Sequence, residues 1–244
     1  MERTFRTLKA NEIDCRVAQI ASNWLTLLLY KNARVDMDIL DETVGAMNWK
    51  REHLRDNANC VVSIYNEDTK EWVSKEDTGT ESFSEAEKGL ASDSFKRACV
   101  NWGIGRELYS APSIFILPNK DMIPKGKDSE FYQNDKGKYE TKTRFNVSYI
   151  DYDSNRRIKD LEIRDNKGNI RFSQLSKEVE KQFLKTSQEL SKLLNSVEEK
   201  DDKFNRDRFY EYFGVKTDSQ LTEEQKLEAI ELLKKTEKAK SNEK

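Results

Sequence analysis

Histidine is all but missing from this chain: His53 is the only one in 244 residues. An imidazole-activated serine or cysteine nucleophile has one partner to draw on, and a zinc site built from histidines lacks its ligands. His53 reads instead as one residue of an extended segment. Cysteine is scarce as well: Cys15, Cys60 and Cys99 are odd in number and far apart, which offers no metal spacing and fits reduced thiols. None of the nine glycines builds a phosphate-cradling loop. Gly103-Ile104-Gly105 follows a helical pattern instead of opening one, and Lys125-Gly126-Lys127 has the wrong context. ATP-driven strand exchange is therefore not expected, and no cofactor is expected. No apolar run approaches the roughly 18 residues of a membrane span, and Met1-Glu2-Arg3-Thr4-Phe5-Arg6 lacks the apolar core of a secretion signal. A cytoplasmic protein is expected.

Excess charge is missing too. Forty-three Lys and Arg against forty-five Asp and Glu leave a net charge of −2, so the chain is no uniformly basic polyanion binder. Its distribution is uneven, with a net −6 over residues 1–95, +5 over 96–176 and −1 over 177–244. A local basic groove is compatible with such a chain, because a phosphate responds to the nearby field more than to the total.

What is present is a polar chain with core anchors, namely four Trp, nine Tyr and eleven Phe. Trp24 to Tyr30 is a short apolar run and reads as a strand. Val35, Ile39, Leu40 and Val44 share one helix face that closes at Gly45. Trp49 to Leu54 alternates, with Trp49, Arg51 and His53 on one face and Lys50 and Glu52 on the other. Cys60 to Tyr65 and Glu71 to Lys75 flank a polar turn and form a hairpin. The order strand, helix, three strands, long helix predicts an α+β domain, an antiparallel sheet with helices on one face. Residues 119–142 read as a mobile loop, 143–173 as a β-hairpin or meander, and 177–244 as a helical tail or docking module after a domain spanning 1–176. Within the tail, Thr222 and Gln225 form a capping box.

The long helix is the centre of the pattern. Ser84 and Glu87 make a capping box, Gly103 marks the exit, and Ala91, Phe95, Ala98 and Trp102 form one apolar stripe. Beside the stripe lie Lys96 and Arg97, with Asp93 spaced to pair with either. Cations also interleave with aromatics at Tyr30-Lys31 through Arg34, at Trp49-Lys50-Arg51, and at Trp102 and Arg106. Such sets can hold phosphates and stack bases, although both tryptophans also fit core positions. Asp36, Asp38, Asp41 and Glu42 raise a two-metal nuclease as an alternative. Asp36 and Asp38, however, point about 200° apart on a helix.

Ser92-Asp93, Lys96-Arg97-Ala98 and Trp102-Gly103 resemble the signature helix of the Rad fifty-two/twenty-two single-strand annealing superfamily. Residues 30–42, Asn48 to His53, Asp77 to Glu81 and Asn101 to Tyr109 are similar to its phage branch, the Sak-type recombination proteins. The resemblance covers roughly residues 10–117 and, more loosely, the chain to about 175. It implies an ATP-independent, non-enzymatic protein of phage or prophage origin in a bacterial host cell. Such a protein binds and anneals single-stranded DNA as a homo-oligomeric ring or helical filament in recombination and repair. It implies that Lys96 and Arg97 face the DNA backbone. Lys31, Arg34, Lys50, Arg51, Arg106, Lys142 and Arg144 are nominated beside them by charge and position. A single-strand-binding protein or an exonuclease is the partner class expected of the tail. The alternatives are a module that protects single-stranded ends or loads a recombinase without annealing, and the nuclease.

Overall fold

The computed structural model describes residues 4–80, 86–119 and 129–241. In chain order the elements are β1 (Asp14–Ile20), β2 (Leu25–Tyr30), α1 (Ala33–Val44), β3 (Trp49–Leu54), β4 (Asn59–Asn66), β5 (Glu71–Thr78), α2 (Ala86–Asn101), β6 (Ile114–Ile116), β7 (Phe131–Gln133), β8 (Tyr139–Thr141), β9 (Phe145–Tyr152), β10 (Ile158–Asp165), β11 (Ile170–Gln174), α3 (Lys177–Lys200), α4 (Arg206–Tyr212) and α5 (Glu223–Ser241). The α+β class, the antiparallel pairing and the helical C-terminal region agree with the sequence reading.

Contacts divide the chain into two interleaved units. The first comprises Met1–Asp14, Leu29–Pro112 and Ser154–Arg157; the second comprises Cys15–Leu28, Ser113–Asp153 and Ile158–Lys244. In the first unit β3, β4 and β5 form an antiparallel sheet with α2 packed on it. The register aligns Trp49, Ile64 and Val73 on one face, with Arg51, Val62 and Lys75 beside them. Phe95, Ala98 and Cys99 of α2 are fully buried, as is Val62 of the sheet. Burying a side chain the size of Phe95 contributes about 2–3 kcal/mol. Asn32 starts α1 by accepting hydrogen bonds from the N–H groups of Arg34 and Val35. The chain leaves α2 through Gly103 at φ +95°, where a side chain would be strained. Ser84 of the expected capping box lies outside the described residues.

The second unit contains a six-stranded sheet in the order β11-β10-β9-β1-β2-β6. Here the sequence reading needs correcting. β2 does not join the three strands that follow it but pairs antiparallel with β6, with Leu25 opposite Ile116 and Leu27 opposite Ile114. The 119–142 stretch is also not all loop, because β7 and β8 pair with Phe131 opposite Thr141. Asn134 organises that turn by accepting from the N–H groups of Lys136 and Lys138. A three-residue strand is too short to show a period. Residues 120–128 lie outside the description. β9, β10 and β11 form the expected meander. The helices close a core of their own, built on Leu190, Leu194, Val197, Tyr210, Leu221, Ala229, Ile230 and Leu233. The capping box at Thr222 and Gln225 is present, with reciprocal bonds of 3.0 and 3.2 Å.

Candidate nucleic-acid interface

The apolar stripe of α2 decides where its cations go. With Phe95, Ala98 and Cys99 turned into the sheet, Lys96 is half-buried at the margin and Arg97 stands 44% exposed. Arg97 does not pair with Asp93, as the helical spacing suggested. Its Nε lies 3.3 Å from Asp77 on β5, while Asp93 accepts from the N–H and hydroxyl of Thr80. The sheet brings Asp77 within reach and the β5 exit claims Asp93, which no local spacing encodes. An exposed pair of this kind contributes about 0–1 kcal/mol, so a phosphate can replace Asp77 at little cost.

Around the C-terminal half of α2 three more cations gather. Arg51 lies 4.7 Å over the Phe95 ring, and Lys75 lies 4.5 Å over Trp102 while donating to the Asn101 carbonyl at 2.9 Å. Arg106 donates to the Val100 carbonyl at 2.9 Å and to that of Asn101 at 3.2 Å. These carbonyls carry the negative end of the helix dipole and lack partners within the helix, so cations collect there. Lys75 was missed in the sequence; its alternation within Glu71 to Lys75, set in register with Arg51, was the available signal. A cleft of about 1160 Å³ lies alongside, with Tyr65, Lys75, Trp102 and Arg106 among its walls. Acidic Glu67 and Asp68 line it as well.

The tryptophans act in packing. Trp49 stacks on Phe95 at 6.2 Å and donates to Asp41 at 2.6 Å, and Trp102 donates to the Val62 carbonyl at 3.1 Å.

Other nominated cations are placed elsewhere. Lys50 points to the sheet face opposite Arg51, where its ammonium sits 4.5 Å over Trp72. Arg34 is exposed in the first turn of α1. Lys142 and Arg144 are exposed residues of the second unit, Lys142 at 5.7 Å over Tyr132.

Lys31 is placed inward. It is only 4% exposed, and its ammonium is paired with the fully buried Asp36. Beside an apolar run, a lysine can be drawn inward when a carboxylate on the next helix turns the same way. Burial pushes the Asp36 carboxyl up to about 6, against the pull of Lys31 and Lys96 and with the push of Glu107.

The nuclease alternative finds no support in this arrangement. Asp36 is committed to Lys31 and Asp41 to Trp49, and Glu42 bonds Arg6. Among the described residues no three His, Cys, Asp or Glu side chains are placed to hold a metal. His53 is half-buried on β3, its imidazole pulled below the ordinary value by burial and by Arg51. Burial pushes the Cys60 thiol up to about 11 and raises Cys99 as well, which marks both as packing residues, not nucleophiles.

Residues 52–121 match the family described as Rad52/22 family double-strand break repair protein. The matched segment takes in the second half of β3, the β4–β5 hairpin, α2, the Arg106 turn and β6. Searches of curated proteins and of solved structures returned no match.

Proposed function

We propose that this chain, carrying a Rad52-like segment at residues 52–121, binds single-stranded DNA by its phosphates and anneals complementary strands without nucleotide hydrolysis, in recombination and repair. One observation carries the reading: the matched segment contains the α2 cation pair, and α2 presents Arg97 to solvent with only an exchangeable partner. Arg51, Lys75 and Arg106 gather around the same helix and extend the positive surface along its C-terminal half. Holding the sugar-phosphate chain leaves base edges free for pairing, so proximity supplies the acceleration and no reacting group is needed. Assembly into a homo-oligomeric ring or filament of phage or prophage origin belongs to the same proposal, because neighbouring copies extend the track. So do a bacterial cytoplasmic setting and a tail that meets a single-strand-binding protein or an exonuclease. Arg34, Lys50, Lys142 and Arg144 remain in it as outlying phosphate contacts.

The test is binding and annealing of labelled oligonucleotides, without ATP, across a salt series. For Arg97→Ala the slope of log affinity against log salt should fall by about 0.7, the loss of one phosphate contact on a single strand. The Lys96→Ala, Arg97→Ala double variant should lose annealing while keeping its fold. Unchanged slope and annealing in a folded double variant would remove the pair from the interface.

A further inference from the structure

We propose that the cleft beside α2 takes in one base of the bound strand and reads its edge, favouring bases that carry an exocyclic amino group. The inference rests on the reading of the α2 surface as a phosphate-binding one and adds a base preference to it.

Every residue that lines the cleft belongs to the first unit. Its two ends differ in charge. Lys75 and Arg106 stand at the end nearer α2, gathered on the last carbonyls of that helix, while Glu67 and Asp68 stand at the other, in the turn between β4 and β5. Lys75 pairs with Val62 and Glu71 with Asn66, so about four residues of strand separate the ends. That is roughly 13 Å, and the side chains that line the cleft from both ends shorten it. Between them the floor is apolar. Val73, 41% exposed, lies opposite the buried Ile64 on the α2 face of the sheet, and Trp102 forms a wall beside them. A volume of about 1160 Å³ is ample for a ligand of nucleotide size.

Cations at one end, an apolar floor and carboxylates at the far end match a nucleotide followed from its phosphate outward. Lys75 and Arg106 hold the phosphate, the ring lies against Val73 and Trp102, and the base edge meets Glu67 and Asp68. The carboxylates repel a second phosphate, which fixes the direction of entry. Neighbouring amides are engaged elsewhere: Asn66 accepts from the Asp68 N–H at 3.0 Å, and Asn101 donates to the Glu76 carbonyl at 2.8 Å. A carboxylate only accepts, and its two oxygens have room for several donors. Cytosine presents an amino group at position 4, and thymine or uracil presents there a carbonyl oxygen that a carboxylate repels. One base per copy is drawn aside, so the others keep their edges free for pairing.

The experiment is binding of oligodeoxycytidylate and oligodeoxyuridylate of equal length to the full chain at pH 7.5, followed by fluorescence anisotropy across a salt series. The two bases share one ring and differ in the groups they offer at its pairing edge. Wild type should bind the cytosine strand at least about fivefold more tightly, the lower end for a specific base contact. The Glu67→Gln, Asp68→Asn double variant should bring that ratio near one with the salt slope of wild type, because an amide both donates and accepts and neither residue meets a phosphate. Val73→Trp, which fills the floor, should erase the preference by a separate route; should it fail to fold, the double variant on the exposed turn decides alone. Arg97→Ala should weaken both strands alike and keep the ratio. A ratio near one in a wild type that binds with normal salt dependence, or a ratio unchanged in either folded cleft variant, overturns the proposal and leaves the phosphate reading standing. Absence of salt-dependent binding to both strands overturns the functional reading and this proposal with it.

Discussion

Gly105→Ala is the sharpest probe of how the first unit is built. The residue sits at φ +70°, a conformation costing alanine about 1–2 kcal/mol. The larger effect is steric. The new Cβ would lie 2.1 Å from Lys31 Cε and 2.7 Å from Cδ, so the lysine must move. Its ammonium is held by Asp36, and both side chains are buried, so moving it uncouples the pair and strands a carboxylate without its partner. Separating a buried pair costs about 3–5 kcal/mol. The expected loss is about 4–7 kcal/mol, a large share of the roughly 5–15 kcal/mol that holds a domain together. Urea unfolding followed by tryptophan fluorescence suits the question, since Trp49, Trp72 and Trp102 all belong to the first unit and only Trp24 to the second. At pH 8, where Asp36 is ionised, the loss should be largest; it should shrink at pH 5, where the carboxyl is mostly neutral. A double-mutant cycle isolates the cause: in a Lys31→Ala background only the backbone cost of about 1–2 kcal/mol should remain. A loss below about 2 kcal/mol in the single variant, or strict additivity in the cycle, would refute the reasoning, because Lys31 would then reroute at no expense.

Two further predictions concern the second unit. Burial pushes the Glu130 carboxyl up, but hydrogen bonds from Arg171, the Asn119 N–H and Thr143, together with the charge of Arg171, bring it below its ordinary value. A depressed carboxylate contributes stability that is present above the unfolded value of about 4.3 and lost as pH falls through the folded one. Glu130→Gln should therefore flatten the acid limb of melting temperature against pH between 3 and 6, and an unaltered limb would contradict the assignment. Thr222→Ala removes the hydroxyl that caps α5 and should cost about 1 kcal/mol, visible as faster amide exchange in the first turn of that helix. Exchange no faster than in wild type would show the cap to be idle.

Much of the fold is local and could be read directly. The α1 face, the alternation that sets Arg51 apart from Lys50, the hairpin around residues 66–70 and the capping box at Thr222 each depend on residues a few positions apart, whose spacing matches the helical or strand period. The position of Lys96 and Arg97 beside the apolar stripe of α2 was legible for the same reason, whereas their nomination as phosphate contacts came from the family resemblance. The surroundings of the pair were not legible: that Arg97 meets Asp77, that Lys75 and Arg106 converge on the same helix end, and that Lys31 turns inward to Asp36 are products of packing between segments. The partner of β2 is another such case, since its apolar run suits more than one sheet and the match to β6 lies far along the chain. The amino-acid order by itself settled α1, β3, the β4–β5 hairpin and the C-terminal helices and the apolar face of each, because those follow from short-range periodicity, but it did not reveal β1, β7 or β8. Tertiary structure alone decided which charges stay in water, because burial depends on neighbours that only the folded chain brings together.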